Sequence, residues 1–132
     1  MKYLLDTHAF LWSLFEVAKL SDAVQHILAD RRNEVYVSVV TYWEISLKYA
    51  IGKLELEGIA PDKLPQKAEI SDFFVLDILP EDAASFYRLP RLTHKDPFDR
   101  LLIWQAINHD LSLISQDSEF KAYEQHGLKS LW

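Results

Sequence analysis

The order of elements along the chain predicts an α/β fold, a parallel sheet covered by helices on both faces. Two observations predict it. Short apolar or β-branched runs alternate with segments of helical periodicity, the order that builds parallel sheets. No internal repeat, low-complexity tract or Gly/Ser linker interrupts that alternation. Gly52, Gly58, Pro61 and Pro65 punctuate one central loop region, too short to divide domains, so residues 1–132 read as a single domain.

Each element follows from local pattern. Residues 2–5 are an apolar run that stops at Asp6, a strand. Residues 8–15 and 21–32 read as helices. In the second, Ser21 can cap, and Val24, Ile27 and Leu28 give the i, i+3, i+4 stripe. Residues 35–38, β-branched and aromatic, form a strand, and residues 42–51 a helix that ends near Gly52, a natural C-cap. A helix at 65–74, a strand at 75–79 and a helix at 81–89 after Pro80 follow. The rest of the chain gives a helix at 97–108, a strand at 111–115, a helix at 118–126 and a short strand near 130–132.

Composition narrows the function classes. A chain of 132 residues buries a core without staples, and 49% hydrophobic with 26% charged residues is a globular balance rather than a disordered one. The absence of cysteine excludes disulfides and thiolate metal sites. Asp6 and His8 cut the first apolar run, which argues against a signal peptide. No window approaches the roughly 18 apolar residues of a membrane span. A cytoplasmic protein without a membrane partner is therefore expected. The formal net charge of −6 lacks the basic footprint of a simple nucleic-acid binder. It is compatible with an enzyme whose acids gather to hold divalent cations.

The placement of the acids gives that idea content. Asp6 follows the first strand, Asp117 lies just beyond the strand at 111–115, and Glu44 sits in the helix after the strand at 35–38. Asp96 and Asp99 open the helix that starts at Pro97. In a parallel sheet the strand exits share one edge, where sites of open α/β sheets form. Each acid also has a plain structural role. Thr41 and Glu44 match a capping box, Asp96–Pro97 is a cap followed by proline at the first helical position, and Asp6 or Thr7, and Asp117 or Ser118, can cap the helices they precede. Capping alone does not require acids from several segments to meet, and the two roles are compatible. Three or four carboxylates can hold one or two Mg²⁺ or Mn²⁺ ions, which activate water and relieve charge in phosphodiester hydrolysis. The pattern therefore points to a metal-dependent nuclease.

Four stretches carry a resemblance: LLDTHAFLW at 4–12, SVVTYWEISLK at 38–48, HKDPFDRLLIWQA at 94–106 and LSLISQDSEF at 111–120. Together, in this order, they resemble the PIN-domain family, in its VapC-like toxin ribonuclease branch. The resemblance implies a three-layer α/β fold with a short parallel sheet, Mg²⁺ or Mn²⁺ dependence, and endoribonuclease activity on RNA. It also implies a cognate antitoxin protein and a homodimer. Carried over residue by residue, it makes Asp6, Glu44, Asp99 and Asp117 the four acids, with Asp6, Asp99 and Asp117 as metal ligands. Thr7 and Ser115 match the small hydroxyl positions that orient a water or a carboxylate beside the acids. His94 and Asp96 belong to an HxDPFDR form found in part of the family, in which Asp96 has a capping role.

Other features are weighed beside these. Arg88, Arg91, His94, Lys95 and Arg100 form the one locally basic stretch, and Arg100, adjoining Asp99, is its best candidate for a phosphate contact. Lys48, four residues after Glu44, reads as an i, i+4 ion pair. The remaining histidines form no HxxxH or HxH set. Phe10, Trp12, Phe15, Tyr42 and Trp43 are core by default, with some available to a partner. A different class, a receiver-like signalling or binding module, also gathers acids at strand ends. It expects an acidic pair after the first strand and a lysine after a late one, where this chain offers one acid and Lys129. A phosphatase with an N-terminal DxD needs an acid at position 8, which is His8.

Overall fold

The computed structural model describes residues 1–132. Five parallel strands, β1 (Lys2–Leu5), β2 (Glu34–Ser38), β3 (Phe74–Leu76), β4 (Ser112–Ile114) and β5 (Lys129–Leu131), form one sheet in the order β3-β2-β1-β4-β5. Six α-helices pack on it: α1 (Thr7–Phe15), α2 (Asp22–Ala29), α3 (Val39–Ala50), α4 (Leu64–Ile70), α5 (Pro80–Ser85) and α6 (Pro97–Asn108). The three-layer α/β fold with a short parallel sheet is therefore present. No helix is long and apolar enough to cross a membrane.

The pleat of the strands divides the core. On one face Tyr3 and Leu5 of β1 join Val35, Val37 and Ile114 under α1, α2 and α4, with Phe10, Val24 and Leu64 buried between. On the other face Leu4 and Leu113 pack on Leu102, Ile103 and Ala106 of α6 and on Phe120 and Tyr123. Successive side chains of a strand point to opposite faces, so each of these short strands feeds two cores. β1 lies at the centre of the sheet, with Leu5 in register with Val37 of β2 and Ile114 of β4. Its exit is thereby placed between the exits of its neighbours.

Two of the boundaries that differ from the sequence reading do so for identifiable reasons, and one helix differs in kind. α3 starts directly at the end of β2, where Ser38 caps by accepting from Val40 N–H at 3.0 Å. Thr41 is consequently inside the helix, and the Thr41–Glu44 capping box is not formed. α4 stops at Ile70, because Asp72 adopts φ +62° and lets Phe73 N–H return to the Ala68 carbonyl at 3.0 Å. Aspartate here takes the left-handed place usually given to glycine. Residues 118–126 are helical as expected, but of the tighter 3₁₀ kind.

Candidate active site

Three carboxylates reach one cleft from three parts of the chain. Asp6 leaves β1 and caps α1, accepting from Ala9 N–H at 2.8 Å, while its own N–H donates to the Ile114 carbonyl at 3.0 Å. That bond sets the exits of β1 and β4 side by side. Ser115, the first residue past β4, stands beside Asp6, and its hydroxyl favours the ionised form of that carboxyl. Its Oγ also accepts from Asp117 N–H at 3.1 Å. Asp117 in turn caps the 3₁₀ helix, accepting from Glu119 N–H at 2.9 Å. Asp99 lies in the first turn of α6, which Asp96 initiates by accepting from Phe98 N–H at 2.8 Å and Asp99 N–H at 3.3 Å. The capping roles expected of Asp6, Asp96 and Asp117 are thus all filled, and capping is what aims the acids.

Asp6, Asp99 and Asp117 line a cleft of about 530 Å³, with His8, Trp12 and Gln116 at its walls. Burial pushes the Asp6 carboxyl above the usual range, only partly offset by the Ser115 hydroxyl and the Ala9 N–H. Burial likewise pushes Asp99 up to about 6, against the pull of a hydrogen bond from His94 and with the fields of Asp96 and Glu44 adding to the rise. Ionised, these groups are held where a carboxylate is poorly solvated and faces others of its kind. A set of hard oxygen donors in that state fits a hard divalent cation such as Mg²⁺ or Mn²⁺.

Glu44 does not line this cleft, but its charge acts on both Asp6 and Asp99. Its side chain is buried, Oε1 accepts from the Thr7 hydroxyl at 2.5 Å, and Oε2 is paired with the Lys48 ammonium. Burial works against the Lys48 charge, but Glu44, with the fields of Asp96 and Asp99, outweighs it and raises the lysine above its ordinary value. The i, i+4 pair expected on this helix is present, and it brings a half-buried cation to the acidic group.

Arg100 is placed elsewhere. Its guanidinium donates to the Leu89 carbonyl at 3.0 Å and lies 4.8 Å from the centre of the Phe86 ring. It shares a separate hollow with Arg88 and Arg91 rather than lining the acidic cleft. Its direction was not legible from its place next to Asp99, because consecutive residues of a helix do not face the same way. Lys129, which a receiver would aim at its acids, is exposed and pairs with Asp110 at 2.8 Å, so the receiver alternative is not favoured.

Two residues gained no role from the sequence. His94 is buried, with Nε2 2.8 Å from Asp99 Oδ2 and Nδ1 2.7 Å from Glu119 Oε2. Burial disfavours the imidazolium, but the bonds to Glu119 and Asp99 outweigh it and raise the His94 pKa. His94, Asp117 and Glu119 also bring one donor atom each within 4.8 Å of one another. The available signal was the HKD start of the third motif and the Asp-Ser-Glu of the fourth, which lie far apart in sequence.

Comparison with known proteins agrees with this architecture. The PIN domain family model matches residues 3–125. Ribonuclease VapC22 of Mycobacterium tuberculosis is 26% identical over 129 residues, covering 98% of this chain and 97% of that protein. Among solved structures, VapBC2 from Rickettsia felis bound to a DNA fragment from its promoter superposes with a TM-score of 0.69 at 17% identity, over 99% of this chain and 98% of that one. VapBC-5 from Mycobacterium tuberculosis, a member of the VapBC family of toxin–antitoxin systems, gives 0.62 at 21%, over 98% and 97%.

Proposed function

The chain belongs to the PIN-domain family, and from that premise we propose that it is a Mg²⁺- or Mn²⁺-dependent endoribonuclease, the toxin of a toxin–antitoxin pair. The observation that carries the reading is the meeting of Asp6, Asp99 and Asp117 in one cleft. The nearly full-length similarity to ribonuclease VapC22 supports RNA as the substrate.

In this reading Asp6, Asp99 and Asp117 hold the cation. When bound, it supplies Lewis acidity, drawing charge from the phosphodiester and easing deprotonation of the attacking water. The chain's own residues prepare the place. Ser115 holds the Asp117 backbone, and the Asp6 N–H bond to the Ile114 carbonyl sets the two strand exits side by side, so two ligands from one sheet edge keep their spacing. Glu44 orients Thr7 and retains Lys48, whose ammonium moderates the negative field of Asp96 and Asp99. Asp96 starts the helix that presents Asp99.

A protein antitoxin is the proposed restraint. The similar solved structures include VapBC toxin–antitoxin assemblies. A groove of about 500 Å³ lined by Leu11, Trp12, Phe15, Leu54 and Leu56, with Glu16, Glu55 and Glu57 along it, suits an amphipathic helix carrying basic residues. An Arg or Lys from such a partner would satisfy the cleft carboxylates through charge-assisted hydrogen bonds. The test is direct: the purified chain should cleave RNA with Mg²⁺ or Mn²⁺, and lose that activity with chelator and in Asp99→Asn. RNA left intact by the wild type with both metals would remove the reading.

A further inference from the structure

One imidazole joins two elements of the site. His94 precedes α6, and its ring nitrogens face Asp99 at 2.8 Å and Glu119 at 2.7 Å. When both carboxylates are ionised, each can only accept, and the ring holds both bonds as the doubly protonated imidazolium. Phe120 meets the ring edge-on with centroids 5.2 Å apart, which with the two bonds fixes the ring plane. The His94 side chain is 10% exposed, whereas that of Glu119 is 57% exposed. The bridge thus runs from solvent, through a buried ring, to a carboxylate that lines the acidic cleft.

We propose that His94 is a positioning residue for the cation-binding carboxylates: anchored by Glu119, it ties Asp99 at the start of α6 to the segment that carries Asp117, and so sets the spacing of two acids from different elements. This rests on the proposed metal-dependent reading. Groups that orient a ligating carboxylate affect metal affinity by roughly 10–100-fold when removed. A packing role alone would affect folding instead. The fold offers its own control, because His109 bonds Asp82 at 2.8 Å, a similar His–Asp contact between α6 and α5 that does not line the cleft.

The test is Mn²⁺ binding to the full chain, read from the EPR signal of free Mn²⁺ without substrate, with melting followed in parallel. His94→Gln is expected to weaken Mn²⁺ about 10-fold or more. Glu119→Ala, at an exposed side chain that threatens no core, is expected to weaken it by a smaller factor. The double variant should be no weaker than His94→Gln, because both act through one ring. His109→Gln should lower the melting temperature and leave Mn²⁺ affinity unchanged. Wild-type affinity in both His94→Gln and Glu119→Ala, with Asp99→Asn still losing Mn²⁺, would overturn the positioning role alone. If His94→Gln does not fold, wild-type affinity in Glu119→Ala overturns it. A wild-type chain that binds no Mn²⁺ overturns both this role and the metal-dependent reading beneath it.

Discussion

The Thr7 hydroxyl donates to Glu44 Oε1 at 2.5 Å, joining the first turn of α1 to α3 across 37 residues of sequence. The acceptor is buried, so its loss would leave a charged oxygen without its donor. Thr7→Val, nearly isosteric, should therefore destabilise the fold by about 1–3 kcal/mol. Urea unfolding would register this as a lower midpoint at unchanged slope. An unmoved midpoint would mean that the bond contributes nothing.

Asp99 makes the stability of the metal-free protein depend on pH. Its carboxyl is at about 6 in the fold, against an ordinary aspartate value of 3.8. The folded state binds this proton more tightly, so the associated stability is full below about pH 4 and is lost as pH rises through 6. Asp99→Asn, which cannot ionise, should gain on wild type across that window. Melts in chelator between about pH 4 and pH 7.5 should show the difference widening in favour of the variant. A difference independent of pH would argue against a raised carboxyl.

Metal should act on the same group with the opposite pH sense. A cation that binds only the folded state raises the melting temperature, and protons compete with it for Asp99. The Mn²⁺-induced rise should be largest above pH 6, shrink below it, and be small in Asp99→Asn. Identical wild-type melts with Mn²⁺ and with chelator would count against a preformed site.

Self-association is expected through exposed apolar surface. Trp43 is 57% exposed and lines an apolar hollow with Ala83, Phe86, Pro97, Phe98 and Leu101, the contiguous kind of patch that marks an interface. Light scattering at micromolar concentration should give about twice the 15.4 kDa of the chain. A monomer would remove the dimer and leave the chemistry untouched.

Expression in cells tests the toxin reading. Wild type alone should slow growth, and co-expression of a small neighbouring gene should restore it. Asp6→Asn should be harmless yet still bind that partner if the apolar groove supplies most of the affinity. Unimpeded growth with the wild type, together with no partner captured, would favour a binding module instead.

Much of the site was legible because Asp6 and Asp117 are also caps and Asp99 follows the cap Asp96 by one turn. Asp6 after an apolar run and Asp96 before Pro97 announce helix starts, and alternation of strands and helices makes those starts share an edge. What escaped depends on direction and on abutting elements. Ser38 and Thr41 are both plausible caps, and only the strand running straight into the helix selects Ser38. That choice moves Glu44 from the first turn of the helix into the second. Asp72 and Asp110, at φ +62° and +52°, end turns where a glycine would have been the readable signal. The His94–Glu119 bond spans 25 residues, so no local pattern announces it.

The central position of β1 also sets a timetable for synthesis. Its neighbour β4 pairs Ile114 with Leu5, so the strand made first waits for one made more than a hundred residues later. Non-local pairings of this kind form late. A nascent chain carries Asp6 from the outset but has no cleft until Asp99 and Asp117 have left the ribosome. At roughly 5–20 residues per second this is an interval of several seconds. Through that interval the growing chain holds the parts of a nuclease without being one, and a partner made earlier meets it before its first possible turnover.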